Sequence, residues 1–376
     1  MWPDCRAQQL TERLSRLRSK ATLSWTFAIG LRSQVLSYFS DDCENELRDL
    51  AGLDFCPVTG DLSTVDLIIV TAHGIDLAHF IWELRSKAPN SLVAVWLWDN
   101  HVVPLENLRT ALAADFLMVS HWYAAGYLHN PCSPIAMHLP ACSAQWSCRE
   151  AASIFHEHKM VMRSDKLLVN YVDYPFSWRS DLFKNLQTQC PETDVLLMEP
   201  KERSRYFKKS KVERMNEWLS YKATLILPID RDLSTRVFDG LLAGQVLVVP
   251  RMIQDFDTVI PPEMQAKLGI IRIDDFEIPT IREAAGQAVQ TFNSRGDEGV
   301  YQRHQYVIEN HMLINRLSSA LNFLGQSGNQ QLSVTFNKLP QPLPGLHIDH
   351  KSIHWRGLFW TIIREYLVLL KAKLLS

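Results

Sequence analysis

The chain has 376 residues, 47% hydrophobic and 21% charged, with 39 Lys and Arg against 41 Asp and Glu. That length and composition suit a globular protein of two ordinary domains and exclude a largely disordered one. A formal charge of −2 argues against a nucleic-acid-binding body, although Lys and Arg outnumber acids within residues 1–33 and 338–376, leaving basic ends on an acidic middle.

Those basic ends could meet an anionic membrane surface or simply be solvated. Seven cysteines (Cys5, Cys43, Cys56, Cys132, Cys142, Cys148 and Cys190) are widely spaced without a C-x-x-C pair. This points to a reducing compartment, with no disulfide framework and no zinc site. Residues 1–20 lack the apolar core of a cleavable signal, and no apolar window is long enough to span a bilayer. A cytoplasmic protein is expected.

In chain order, Leu10, Leu14 and Leu17 recur at helical spacing among arginines and predict an amphipathic helix over 7–21. Its apolar stripe suits packing on a neighbour or lying on a membrane. Leu23 to Ile29 predicts a first strand, and Val65 to Val70 a buried one ending in Thr71-Ala72-His73-Gly74. Leu92 to Trp98 ends in Asp99-Asn100-His101, and Asp115 to Val119 ends in Ser120-His121-Trp122. Residues at the C-terminal ends of strands in open α/β sheets face the ligand crevice. Three successive strand ends therefore place imidazole there. Ser133 to Leu139 closes this half as its last strand, and a boundary is expected near 145–165.

Lys166 to Val172 restarts the alternation and ends in Asp173-Tyr174-Pro175-Phe176-Ser177-Trp178-Arg179. Asp194 to Met198 predicts the next strand, and Lys201 to Lys211 a basic loop around Tyr206 and Phe207. Residues 211–221 read as a helix. Ala223 to Pro250 then reads A-T-L-I-L-P-I-D-R-D-L-S-T-R-V-F-D-G-L-L-A-G-Q-V-L-V-V-P, one βαβ unit. Ser234 and Thr235 stand at the predicted helix start, where backbone N–H groups and the helix dipole favour an anion. Arg236 follows, and Asp239 lies about one turn on. Amides and a guanidinium suit a diphosphate, and an ionised carboxylate suits a sugar diol.

The run R-D-L-S-T-R-V-F-D-G-L-L-A-G-Q-V-L-V-V-P resembles the donor-binding segment of glycosyltransferases with the two-domain GT-B fold, especially CgeB-like and family 1/4-like C-terminal domains. It departs from the Glu-x7-Glu pattern of many retaining members: the second acid is Asp239 and Arg231 occupies the position eight before it. The resemblance implies an α/β protein of two Rossmann-like domains facing each other across a cleft. Residues 1–150 would form the acceptor-side domain and 165–324 the nucleotide-sugar-binding domain. It further implies that Ser234, Thr235 and Arg236 meet the donor phosphates, with Arg179 reaching them too, while Asp239 takes a sugar diol. His73 and Asp99 are then candidates for the acceptor contact or for the general base that an inverting transfer needs. The alternative is that each caps a helix or bonds a loop carbonyl. No cofactor and no metal are expected, because the arginines and helix start would carry the leaving diphosphate's charge.

After Pro250, residues 268–273 predict a short strand, and 278–292 and 298–324 two helices. Residues 325–344 read as a linker. Ile353 to Leu375 is apolar, with Trp355, Trp360 and a central Arg364-Glu365 pair. It suits an interfacial helix or a helix packed on the body. The function expected is transfer of a sugar from a nucleotide-diphosphate sugar to a carbohydrate or glycolipid hydroxyl, in cell-envelope polysaccharide or glycolipid synthesis. A sugar-phosphate epimerase or phosphorylase, or a non-catalytic module on the same fold, stays open.

Overall fold

The structure, a computed structural model, describes residues 10, 12–17, 19–20, 22–31, 39–40, 42–50, 53–73, 77–98, 104–128, 135–158, 161–174, 177–199, 203–229 and 231–326. The apolar runs of the first half form β1 (Leu23–Leu31), β2 (Leu53–Phe55), β3 (Leu67–His73), β4 (Leu92–Leu97), β5 (Phe116–Val119) and β6 (Ile135–His138). They make one six-stranded sheet in the order β2-β1-β3-β4-β5-β6, every pair parallel. Parallel strands need a crossover between them, here carried by α1 (Cys43–Arg48), α2 (Leu77–Lys87), α3 (Pro104–Ala113) and α4 (Ala125–Leu128). Helices on both faces explain why these strands read as unbroken apolar runs. Leu67, Ile69, Leu92, Ala94 and Trp96 enter one core cluster, and Ile68, Val70, Val93, Val95 and Leu97 the other.

The second half repeats the plan. After α5 (Cys148–His158) come β7 (Ser164–Val172), α6 (Arg179–Gln189), β8 (Thr193–Met198), α7 (Arg203–Lys208), α8 (Lys211–Leu219) and β9 (Tyr221–Leu225). Next are α9 (Arg236–Leu242), β10 (Val246–Pro250), α10 (Phe256–Val259), α11 (Pro262–Leu268), β11 (Ile271–Ile273) and α12 (Ile278–Asn310). The sheet runs β11-β10-β9-β7-β8, all parallel. Leu167, Val169, Val246 and Val248 face one cluster, with Leu168, Leu247 and Val249 facing the other.

The βαβ unit around α9 is built tightly. A Cβ on Gly240 would lie 2.8 Å from Leu247 Cδ2 and 3.0 Å from Thr224 Cγ2, so glycine lets the helix sit down on β9 and β10. Gly244, with φ +74°, reverses the chain after the helix, and its N–H and that of Gln245 donate to Leu241 O (2.8 Å) and Gly240 O (2.9 Å).

The chain passes from one half to the other at 139–147 and returns through 311–312. The two passes pair: Ser143 N donates to His311 O at 3.0 Å, within a parallel bridge between Ser143 and Met312. The last helix among the described residues, α13 (Leu313–Gln326), packs against the first sheet, where Leu313, Leu317, Ala320, Leu321 and Leu324 join Leu14, Leu17, Trp25 and Phe27. The expected range 165–324 thus ends inside a helix whose apolar face belongs to the first half. Leu14 and Leu17 use their apolar stripe for packing in the same cluster.

Residues 53–55, for which the sequence carries no signal, pair with β1 as an edge strand, and residues 203–208 form α7 where a loop is expected. The expected gap near 293–297 is present as a kink at Gly296 (φ +53°), and the run expected as one helix over 298–324 breaks again at 311–312. The 325–344 linker beyond Gln326 and the 353–375 helix lie outside the described residues. Among the described residues no helix is long and apolar enough to cross a membrane.

Candidate functional site

In a parallel sheet all strand C-termini share one edge, and here the two such edges meet. Behind β5, the Trp122 amide donates to Asp255 Oδ2 at 2.8 Å, on the loop after β10. His138, at the end of β6, lies 3.7 Å from the same carboxylate oxygen through Nε2, which also faces Ser120 O at 3.1 Å. Nε2 therefore carries the proton toward these two acceptors, leaving Nδ1 as the basic nitrogen. Burial pushes His138 below the ordinary imidazole range, against the pull of Asp255 and the Ser120 hydrogen bond. His121 accepts from the Leu233 amide through Nδ1 at 3.3 Å. The turn before α9 thus abuts the end of β5.

Ser234, Thr235 and Arg236 are partly exposed on that turn. The sequence predicts free amides at this helix start, but most are spent locally. Arg236 N donates to Ser234 Oγ (3.3 Å), Val237 N to Ser234 O (3.1 Å), and Phe238 N and Asp239 N to Thr235 O (2.9 and 3.0 Å). The Ser234 and Thr235 amides make no such bond among the described residues. Arg236 donates through Nε to Asn170 O at 2.8 Å and lies over the Tyr171 ring, 4.4 Å from its centroid. Among the described residues it makes no ion pair, and both terminal nitrogens stay available.

Arg179 stands behind it. It is buried, donates from Nη1 to Leu227 O (3.1 Å) and packs 5.1 Å from the same Tyr171 ring. Its Nε has no hydrogen-bond partner among the described residues. Burial lowers its pKa, with the neighbouring Arg236 charge acting in the same direction. Tyr171 itself is fixed by its hydroxyl, which donates to Leu225 O (3.0 Å) and accepts from Leu227 N (2.7 Å). Two guanidiniums are held on one ring at the C-terminal end of β7, which concentrates positive charge beside the turn before α9.

Asp239 is placed differently from the expectation for a diol contact. It is 3% exposed, and Oδ1 accepts from Ser143 Oγ (2.7 Å) while Oδ2 accepts from Gln145 Nε2 (2.9 Å). Burial, more than these two bonds, closes the carboxylate to a diol in this arrangement. His73 ends β3 on the same edge as His121 and His138; Asp99 lies outside the described residues. Sequence reasoning did not single out His138, nor the contact that joins Asp255 to it. Read inside the run I-A-M-H-L, His138 passes for a strand interior, although it continues the pattern of imidazole at successive strand ends. That contact carries no local signal, because Asp255 lies more than a hundred residues from its partners.

No protein-family model and no curated protein matches the sequence. Solved structures do match in shape. An α-glucosyltransferase in complex with UDP and a 13-mer DNA containing a central A:G mismatch superposes with a TM-score of 0.55 at 8% identity, over 81% of this chain and 100% of that one. A UDP-forming α,α-trehalose-phosphate synthase from Burkholderia vietnamiensis gives 0.41 at 13% identity, over 68% and 74%. A sucrose-phosphate synthase from Thermosynechococcus elongatus gives 0.43 at 13% identity, over 68% and 73%. Two facing parallel α/β halves, joined by a double crossing and closed by a returning helix, are the GT-B fold of the glycosyltransferases, and that is the fold of this chain.

Proposed function

We propose that the chain transfers a sugar from a nucleotide-diphosphate sugar to a hydroxyl acceptor bound on the opposite edge of the gap. The carrying observation is the guanidinium pair on Tyr171. Arg236 presents unpaired terminal nitrogens beside the Ser234 and Thr235 amides, at the end of the second sheet that meets the first. A diphosphate leaving group develops charge as the glycosidic bond breaks, and donors already fixed in place stabilise it without reorganising. Ser234, Thr235 and Arg236 would bind it directly. Arg179, locked behind Tyr171, would supply field and orientation. The α-glucosyltransferase of similar shape was solved with UDP, which supports a nucleotide leaving group.

On the first sheet, His121 and His138, at the ends of β5 and β6, would stand on the acceptor side. His138 is the best-placed base, because its neutral ring has Nε2 committed and Nδ1 free to take a proton from a hydroxyl. The acceptor would be a carbohydrate or glycolipid, the latter suited to the basic, amphipathic ends of the sequence. Neither a cofactor nor a metal is required by this scheme.

The test is a panel of UDP-, GDP-, ADP- and CMP-linked sugars screened by thermal shift, followed by mass-resolved product analysis with acceptor mixtures. Arg236→Ala should stay folded and lose turnover by about a hundredfold or more, the scale of one lost transition-state contact, with Arg236→Lys recovering part of it. Undiminished turnover in a folded Arg236→Ala protein would overturn the assignment.

A further inference from the structure

The start of α9 is gripped by both chain crossings through two adjacent residues. Asp239 takes Ser143 and Gln145 of the first crossing. Phe238 lies 4.8 Å, ring to ring, from His311 of the second, with the Arg316 guanidinium 5.6 Å from its centroid. The crossings are tied to each other at Ser143 N to His311 O. Arg316 continues the lattice, donating through Nε to Pro140 O (3.1 Å), through Nη1 to Asn310 O (3.2 Å), and facing His311 Nδ1 at 2.6 Å. Gln145 is held in turn, its Oε1 accepting from Tyr206 Oη at 3.5 Å. Any rotation of one half against the other must pass through these crossings, and any movement there pulls on the first turn of the helix whose preceding turn carries Ser234, Thr235 and Arg236.

We propose that Asp239 is a positioning residue. It pins the donor turn to the hinge between the halves, so that the turn and both crossings move as one body. A carboxylate suits the task, since two oxygens accept from two donors on one extended segment. The reach is short enough to hold that segment against the helix. The inference needs no particular ligand, although its consequence for catalysis rests on the transferase reading.

Hydrogen–deuterium exchange on the full, ligand-free chain tests the pin. Asp239→Ala leaves the Ser143 hydroxyl and Gln145 amide without their acceptor, and Ser143→Ala and Gln145→Ala remove the same bonds from the other side. Ser143→Ala and Gln145→Ala should each speed exchange across both 139–147 and 310–316 by about tenfold, as expected for one lost charge-assisted hydrogen bond, and Asp239→Ala, which loses both, by more. Exchange within β7, β9 and β10 should hold. Asp239→Asn should restore slow exchange, because an amide can accept from Gln145 and donate to the Ser143 oxygen. Should Asp239→Ala fail to fold, the Ser143 and Gln145 variants decide. Unchanged exchange at 310–316 in both would overturn the pin. So would uniform acceleration over the whole second sheet, the signature of a residue that serves global stability alone. Because no donor is added, the result stands apart from the outcome with Arg236→Ala.

Discussion

At the residue scale, the chemistry near α9 is set by what burial does to charge. Burial raises the Asp239 carboxyl from 3.8 to about 6, outweighing the Ser143 and Gln145 hydrogen bonds and the charges of Arg236 and Arg214. Tyr206 and Cys142 are the other titratable groups facing it. A raised folded-state value means that the folded protein holds a proton the unfolded chain has released between about pH 4 and 6. The stabilisation from this group is therefore complete below about pH 4 and lost as pH rises through about 6. His304 works in the other direction. Burial, ahead of the opposing Leu242 hydrogen bond, lowers it to about 4, so its contribution is present above about 6.5 and lost as pH falls through about 4. The two slopes oppose each other in the native protein, and only a comparison separates them. Relative to Asp239→Asn, the wild-type unfolding free energy should fall by on the order of 2–3 kcal/mol between pH 4 and 7. Denaturant titrations at several pH values read this difference. Parallel curves for the two proteins would show that another group titrates.

At the element scale, the helix that carries Arg236 depends on a residue with no side chain. Replacing Gly240 with alanine puts a methyl 2.8 Å from Leu247 Cδ2 and 3.0 Å from Thr224 Cγ2. Alanine favours helix by up to about 1 kcal/mol, yet overpacking costs about 1–3 kcal/mol, so the clash should win. The midpoint of urea unfolding should fall in Gly240→Ala, and a raised midpoint would show that α9 can lift off β9 and β10 freely. The same stretch shows why this part of the fold was legible. V-F-D-G-L-L-A-G-Q-V-L-V-V-P carries its helix face, its close approach and its reversal within a few residues, as the buried strands carry theirs in unbroken apolar runs. Elements that rely on distant partners were not legible. Leu53–Phe55 is too short to show a period and is a strand because β1 lies beside it. In R-S-R-Y-F-K the charges mask the helical character of α7. The site divides likewise. Ser234, Thr235 and Arg236 stand in one local motif, whereas the partners of Asp239 lie 96 and 94 residues away, beyond the reach of spacing arguments.

For the whole molecule, the decisive feature is that the described chain, having built the second sheet, returns to the first. It passes back through 311–312 and lays α13 there, so each half is completed by residues remote in sequence. Such closure couples the two halves, because unfolding either one releases a strand of the double crossing. Leu317 is fully buried in the cluster that also holds Trp25 and Trp96 of the first sheet. Truncating it to alanine removes buried methyl groups and leaves a cavity, at a cost of about 2–5 kcal/mol. If α13 belongs energetically to the first half, Leu317→Ala should accelerate hydrogen exchange in β1 and β3 before it affects β9 and β10. Were α13 only an appendage of the second half, β9 and β10 would respond first. An early response in the first sheet, with residues 310–316 loosened in parallel, would show that the returning helix unfolds as part of the first half and carries the second crossing with it.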